Sequence, residues 1–395
     1  MIPRKASSTL SRLSEGFPII AITGPRQSGK TTLAKAFFHE KPYVSLENLD
    51  ERNFAINDPK RFLARFENGA ILDEVQRCPE LLSWLQTLVD DRKIMGDFVL
   101  TGSAQLDLMS KMNQSLAGRV GRLELLPFAG NELLGNALPK SLNELLLKGG
   151  YPALYDRKIS TNDWFSNYVA TYVERDIRNI LAIKDLNRFQ RFLRLCAARS
   201  AQLLNLSSLA NDCDISSVTA KQWMSVLEAT YVVKVIHPYY NNFGKRLVKT
   251  PKLYFMDTGL MAWLLGIKEI KQLDIHPSRG HLFENWVVTE LLKETFNQGN
   301  STDLYFWRDH SGFEMDIIRD TSDGLQAIEV KSGSTFQMDW CKNVLHWKKI
   351  QSTATLVPQI IFGGEGNDLR FECQAIGWHD LIKQIDQRSY QILSD

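Results

Sequence analysis

Several things are scarce in this chain of 395 residues. No apolar run reaches the ~18 residues that a membrane span needs. The first residues, "MIPRKASSTLSRLSEGFPIIAITG", contain no signal-peptide core. Charge of one sign is also lacking. With 47 Lys and Arg against 45 Asp and Glu, the net charge is +2. There is no global basic field, so any nucleic-acid contact must come from a local patch. The five cysteines, Cys78, Cys196, Cys213, Cys341 and Cys373, are dispersed and form no C-x-x-C pair. Such a set reads as free thiols in a reducing compartment. His237, His310 and His379 are isolated and show no metal-ligand spacing, and no G-x-S-x-G occurs. No repeat or low-complexity tract is visible. The expectation is a soluble cytoplasmic protein of two or three domains, at roughly 100–200 residues per domain.

What is present begins with "GPRQSGKTTL", Gly24 to Leu33. It follows the apolar run "FPIIAITG", which reads as a buried parallel strand, and it opens a segment with helical spacing. Gly24, Gly29, Lys30 and Thr31 fit G-x-x-x-x-G-K-[ST]. Glycines let backbone N–H groups turn toward phosphates without a Cβ clash, and the helix N-terminus favours negative charge. Gln27, Ser28 and Thr32 complete the candidate nucleotide loop. Lys30 would reach the β- and γ-phosphates of ATP, and Thr31 would bind Mg²⁺. A second strand, Gly69 to Leu72, leads to Asp73 and Glu74. Asp73 would hold Mg²⁺ through water, and Glu74 would polarise the attacking water as general base. The strand in "GDFVLTGSAQLDLM" places Thr101 or Ser103 near the γ-phosphate. Arg119 and Arg122 in "SLAGRVGRLELLPF" are candidates for an arginine finger, an interface contact or a carboxylate partner.

The middle of the chain reads as helices. "SLNELLLKGGYPALYD" and "WFSNYVATYVERDIRNI" suit a lid and connector, where nothing selects Asp176 or Arg178 for a role. From about Phe189 the order is helix, helix, helix, hairpin, which is the winged-helix order. A recognition helix would carry Ser217, Thr219, Lys221 and Gln222 toward a groove. Lys245, Arg246, Lys249 and Lys252 form a local basic patch on the hairpin, suited to phosphates. A joint between domains, or a protein-binding module, is the other reading.

The last third holds a second constellation. "HLFENWVVTELLKETF" reads as an amphipathic helix with Glu284 near its start. Two strands follow with Glu314 and Asp316 on one face of the second, and "LQAIEVKSG" adds Glu329 and Lys331 on one face of a third. Carboxylates on one strand beside E-x-K on its neighbour suit a metal-dependent phosphodiesterase. Glu284, Asp316 and Glu329 would hold Mg²⁺, and Lys331 would steady the water or the transition-state charge. Exposed strands also carry E-x-K for cross-strand pairing alone.

The succession of loop, "ILDE" strand, "VLTGS" strand and "LAGRVGRLELLPF" resembles the AAA+ ATPases. It is most similar to a prokaryotic branch related to origin-recognition and signal-transducing P-loop ATPases, in which a C-terminal domain of unknown function follows the ATPase. The resemblance spans nearly the whole chain and implies an αβα ATPase core with a helical lid. A second sensor arginine in the lid is not identifiable. Residues 280–333 resemble the PD-(D/E)xK nucleases, notably the Holliday-junction-resolvase-like members. Glu284, Asp316, Glu329 and Lys331 match that superfamily's helix acid, strand acid and E-x-K. The expected fold class is α/β, with an ATPase core over 1–130, a lid and connector over 131–185, a winged-helix-like segment over 186–257 and a nuclease-like α/β domain over 258–395. Two functions follow. One is an ATP-hydrolysing protein whose nucleotide state controls a C-terminal part that binds or cleaves DNA. The other is a nucleotide-dependent signalling or scaffold protein whose silent nuclease-like fold binds a protein partner or a second copy.

Overall fold

Successive residues of "IIAITG" face opposite ways, and both ways are apolar. Ile19 and Ala21 join one buried cluster and Ile20 and Ile22 another, as a strand covered on both faces requires. In the computed structural model, which describes residues 2–103, 116–135, 137–173, 185–239, 249–350 and 356–391, the chain forms two units. The first comprises residues 1–128 with 229–231 and 295–301, and the second comprises the remainder.

The first unit is built on β1 (Ile19–Gly24), β2 (Tyr43–Ser45), β3 (Ala70–Asp73), β4 (Phe98–Ser103) and β5 (Val120–Glu124). They pair in the order β2-β3-β4-β1-β5, all parallel. Phe62, Leu82, Leu85 and Val89 pack on one face, and Leu10, Leu13, Leu33 and Ala34 on the other. The result is helix, sheet, helix. Register aligns the carboxyl ends of the strands, so Gly24 pairs with Ser103 and Asp73 with Thr101. In open parallel sheets, ligands bind at this edge.

The second unit contains two sheets. The helix Leu186–Ala198 is capped by Asp185, Leu206–Asp212 by Asn205, and Ser217–Ala229 follows Ser216, whose hydroxyl accepts from Thr219 N–H. The second cap is an amide oxygen, that of Asn205, which accepts from Ser208 N–H. With them go β6 (Gln202–Leu203), β7 (Val233–Ile236) and β8 (Lys252–Phe255), antiparallel in the order β6-β8-β7. The larger sheet has β9 (Leu304–Arg308), β10 (Glu314–Thr321), β11 (Gly324–Lys331), β12 (Gln359–Phe362), β13 (Asn367–Arg370) and β14 (Cys373–Gly377), ordered β13-β14-β12-β11-β10-β9. The strands β9, β10 and β11 form an antiparallel meander. The helix Cys341–Ile350 then carries the chain to β12, parallel to β11. Trp307, Ile318, Ala327, Val344, Trp347 and Ile360 fill the core under that helix.

The helix Arg279–Asn297, expected to be amphipathic, differs. Nearly every side chain from Leu282 to Glu294 is buried, Asn285, Thr289, Glu290, Lys293 and Glu294 included. Its polar groups are tolerated because they are matched. Asn285 exchanges two hydrogen bonds with the Phe255 backbone, Lys293 pairs with Glu290, and Glu294 pairs with Arg319. All five cysteines are buried and free. Among the described residues, no helix is long and apolar enough to cross a membrane.

Candidate nucleotide site and acidic cluster

The loop after β1 has the backbone that its glycines were expected to provide. Gly24 (φ 147°) and Gly29 (φ 95°) lie in the region that disfavours a side chain, and Gln27 joins them at φ 61°. A Cβ on Gly24 would come within 2.2 Å of the Leu125 carbonyl oxygen, so only glycine fits there. Gly29 ends the loop, and the helix Lys30–Phe37 starts at once. Lys30 is buried, and its ammonium donates to the carbonyl oxygens of Pro25 (2.6 Å) and Gly24 (3.1 Å). Burial holds the Lys30 amine down at about 8, against the pull of Glu74 and Asp73. Ser28 is fully buried, and neither its hydroxyl nor the Gln27 side-chain oxygen has a hydrogen-bond partner. Thr32 lies exposed in the first helical turn.

Across the sheet edge, Thr31 Oγ1 donates to Asp73 Oδ1 at 2.9 Å. Thr101 Oγ1 donates to the same oxygen, and Tyr43 OH donates to Asp73 Oδ2 at 2.8 Å. Burial and Asp73 push the Tyr43 phenol up to about 12, so it remains a donor. Glu74 follows in the left-handed conformation (φ 57°), and Gln76 donates to its carboxylate. Burial raises the Glu74 carboxyl above its usual range, opposed by the charges of Arg26 and Lys30. Hard oxygen donors beside a strongly turned glycine loop, with an unpartnered buried hydroxyl in it, fit a nucleotide with Mg²⁺. Ser103 supplies backbone opposite Gly24. Arg119 lies away from this cluster in a bidentate pair with Asp90 (2.6 and 2.8 Å), and Arg122 is exposed on β5. Tyr43 had no sequence signal, because β2 is three residues long and its tie to Asp73 is not local.

In the second unit, Glu284, Asp316, Glu329 and Lys331 share one electrostatic neighbourhood. Pairing of β10 with β9 shifts register between Met315 and Ile318, which brackets Asp316; such bulges re-aim side chains. Each acid nevertheless has its own partner. Asp316 Oδ2 accepts the Val330 N–H (2.9 Å), and Lys331 pairs with Glu329 Oε1 (2.6 Å). Lys252 Nζ lies 3.0 Å from Glu284 Oε1 and 2.5 Å from Glu314 Oε1, while Tyr254 donates to Glu284 at 2.7 Å. Burial pushes Glu284 up to about 7 and Glu329 up to about 8, with the Asp316 charge adding to both. Among the described residues, no three His, Cys, Asp or Glu side chains are gathered closely enough to hold a metal ion. The common metal shell expected for Glu284, Asp316 and Glu329 is therefore not formed: Lys252 holds Glu284 to Glu314, Lys331 holds Glu329, and Asp316 accepts a backbone N–H. The residues present, as they are paired, do not fit a divalent ion.

Lys252 also departs from the expectation of a phosphate-binding surface lysine, since it is 3% exposed. Lys249 is exposed. Lys245, Arg246, Asp176 and Arg178 lie outside the described residues. Ser217, Lys221 and Gln222 are exposed on their helix and Thr219 half-buried, opposite buried Ala220, Trp223, Met224 and Leu227.

Comparison with known proteins agrees on the first unit. Residues 16–134 match the family described as AAA domain. Residues 139–271 and 279–381 match two families each described as a domain of unknown function (DUF8612 and DUF4143). The uncharacterized protein Rv2008c of Mycobacterium tuberculosis is 31% identical over 337 residues, covering 84% of this chain and 74% of that protein. The chain belongs to the same family as Rv2008c. The uncharacterized protein Mb2031c of Mycobacterium bovis matches equally. Among solved structures, a Walker-type ATPase of Pyrococcus abyssi is similar at 16% identity, covering 67% of this chain and 96% of that one, with a TM-score of 0.40. AMPPCP-bound DnaA from Aquifex aeolicus is similar at 14% identity, covering 56% and 85%, with a TM-score of 0.29. The first unit of this Rv2008c relative is a P-loop AAA+ ATPase-type domain.

Proposed function

We propose that this protein hydrolyses ATP at the edge of the parallel sheet and that its nucleotide state controls DNA binding by the second unit. The observation that carries the first half is the meeting of Thr31, Thr101 and Tyr43 on Asp73, with Glu74 the next residue. Lys30 and the loop N–H groups bind the phosphate oxygens. Thr31 and, through water, Asp73 would hold Mg²⁺, which would neutralise charge on the phosphates. Glu74, its carboxyl raised above its usual range by burial, takes a proton from the attacking water as its carboxylate. Ser103 and one of Arg119 and Arg122 are proposed to read the γ-phosphate. Arg119 must first leave Asp90, which favours Arg122.

The second half is supported by element order. Helix, β6, helix, helix, β7, β8, with β8 central, is consistent with a winged helix and supports that reading. Its third helix turns Ser217, Lys221 and Gln222 outward. Glu284 on the helix Arg279–Asn297, Asp316 on β10 and Glu329 with Lys331 on β11 follow the helix acid, strand acid and E-x-K order of the nuclease resemblance, which supports a nuclease-like fold for the C-terminal sheet. The cationic plug at Glu284 favours a binding role over cleavage. A silent fold that docks a protein is the alternative, and absence of DNA binding would select it.

Two variants test the ATPase assignment. Lys30→Ala should weaken ATP binding roughly 10–100-fold, the worth of a charge-assisted contact. Glu74→Gln should bind ATP normally and turn it over about 10²–10⁴-fold more slowly, as expected when a general base is removed. Unchanged affinity in the first removes the phosphate-loop role of Lys30, and unchanged turnover in the second removes Glu74 as base.

A further inference from the structure

A buried lysine among acids invites a comparison between two cations. Lys252 and Tyr254 alternate along β8, so their side chains leave the same face. Both end on one atom, Glu284 Oε1, at 3.0 and 2.7 Å. The Lys252 ammonium also touches Glu314 Oε1 at 2.5 Å and lies over the Phe306 ring. Glu284 comes from the long helix, Glu314 from β10, and Lys252 from a different sheet. One side chain therefore joins three elements through charge. The acids cannot be buried together without a counter-charge, because unpaired carboxylates in a dry site are costly.

We propose that Lys252 is the resident cation of this acidic cluster, seated where a divalent metal would otherwise bind. A Mg²⁺ or Mn²⁺ ion needs carboxylate oxygens at about 2.0–2.2 Å. Glu284 Oε1 already accepts from an ammonium and a phenol. A second cation on the same oxygen would stand beside the first and be repelled by it. Glu329 Oε2 is buried without a partner, but one oxygen does not make a metal site. The neighbouring Glu329 Oε1 is taken by Lys331 and Asn343. With β8 in place, the C-terminal sheet is thus a metal-free fold, and the hairpin strand is its plug. This rests on the nuclease-like reading of the sheet and not on the ATPase.

The test is a Mn²⁺ titration of the full chain, free of nucleotide, followed by electron paramagnetic resonance. Without nucleotide the phosphate loop lacks the phosphate ligands for the ion, so a signal change reports other sites. Wild type should leave the free Mn²⁺ signal unchanged into the millimolar range. Lys252→Met, which keeps the stem and removes the charge, should gain a site with a Kd of about 10⁻⁴ M. Adding Asp316→Asn should abolish that site, and Lys252→Arg should behave as wild type. Mn²⁺ binding by wild type that Asp316→Asn abolishes overturns the proposal. So does a folded Lys252→Met chain that binds no more Mn²⁺ than wild type. If Lys252→Met does not fold, the wild-type titration with its Asp316→Asn control decides the question. DNA binding is read separately by fluorescence anisotropy, so its absence counts against the DNA half of the function and leaves the lysine assignment standing.

Discussion

At Asp73 three hydroxyl groups converge, Thr31 and Thr101 on one oxygen and Tyr43 on the other. A carboxylate held this way cannot rotate, and its lone pairs are aimed before a ligand arrives. Outer-shell partners of a metal ligand typically carry a large share of its affinity. If Asp73 holds Mg²⁺ as proposed, Tyr43 is such a partner, a positioning residue that acts through Asp73. Tyr43→Phe keeps the ring, which lies under the Lys35 ammonium, and removes only the hydrogen bond. The expected outcome is ATP binding near wild type, with Mg²⁺ affinity or turnover lowered about 10–100-fold. A Mg²⁺ titration at saturating ATP reads this. If the half-saturating Mg²⁺ concentration and kcat both stay at the wild-type values, Tyr43 is a packing residue.

Among the elements, the helix Ser217–Ala229 divides cleanly between an apolar face of Ala220, Trp223, Met224 and Leu227 and an outward face of Ser217, Lys221 and Gln222. If it enters a groove, Lys221→Glu with Gln222→Ala should weaken duplex binding and lower the salt slope by about one counterion per lost phosphate contact. Anisotropy across a salt series measures both. An unmoved affinity in a wild type that does bind DNA would send the search to another surface. This helix was legible because its apolar spacing is local. So was the phosphate loop, where glycines dictate the backbone, and so was "ILDE", where a buried strand runs straight into its acids. The helix Arg279–Asn297 was misread as amphipathic because its polar residues are buried in pairs, and a spacing pattern cannot distinguish a paired Glu from a solvated one. Lys252 was misread for the same reason. In "KTPK" it looks like its exposed neighbour Lys249, and only the distant Glu284 and Glu314 make it a buried ion. Tyr43 and Tyr254 were missed because each finds its acid far along the chain.

On the scale of the whole chain, the question is how one nucleotide could matter to a remote helix. The chain offers a covalent route. After the helix Ser217–Ala229 it re-enters the first unit at residues 229–231. Tyr231 there adopts a left-handed backbone (φ 56°), and its hydroxyl lies 3.5 Å from Thr23 Oγ1, on the residue before Gly24 of the phosphate loop. Burial and the Glu124 charge raise the phenol well above its usual range, against the nearby Arg122, so it stays protonated. A change at Gly24 on nucleotide binding would reach Thr23 and then Tyr231, at the foot of the proposed recognition helix. Linkage then requires reciprocity, in that the factor by which ATP changes DNA affinity equals the factor by which DNA changes ATP affinity. In the hydrolysis-blocked Glu74→Gln background, DNA affinity with ATP and with ADP should differ about 5–150-fold, the usual range of such couplings. Tyr231→Phe added to that background should shrink the ratio toward one while leaving ATP affinity without DNA unchanged. Matched anisotropy titrations, DNA at fixed nucleotide and nucleotide at fixed DNA, measure both sides of the cycle. A ratio that survives Tyr231→Phe intact would mean that the coupling runs by another path, and a ratio of one in Glu74→Gln itself would mean that the nucleotide does not control DNA binding.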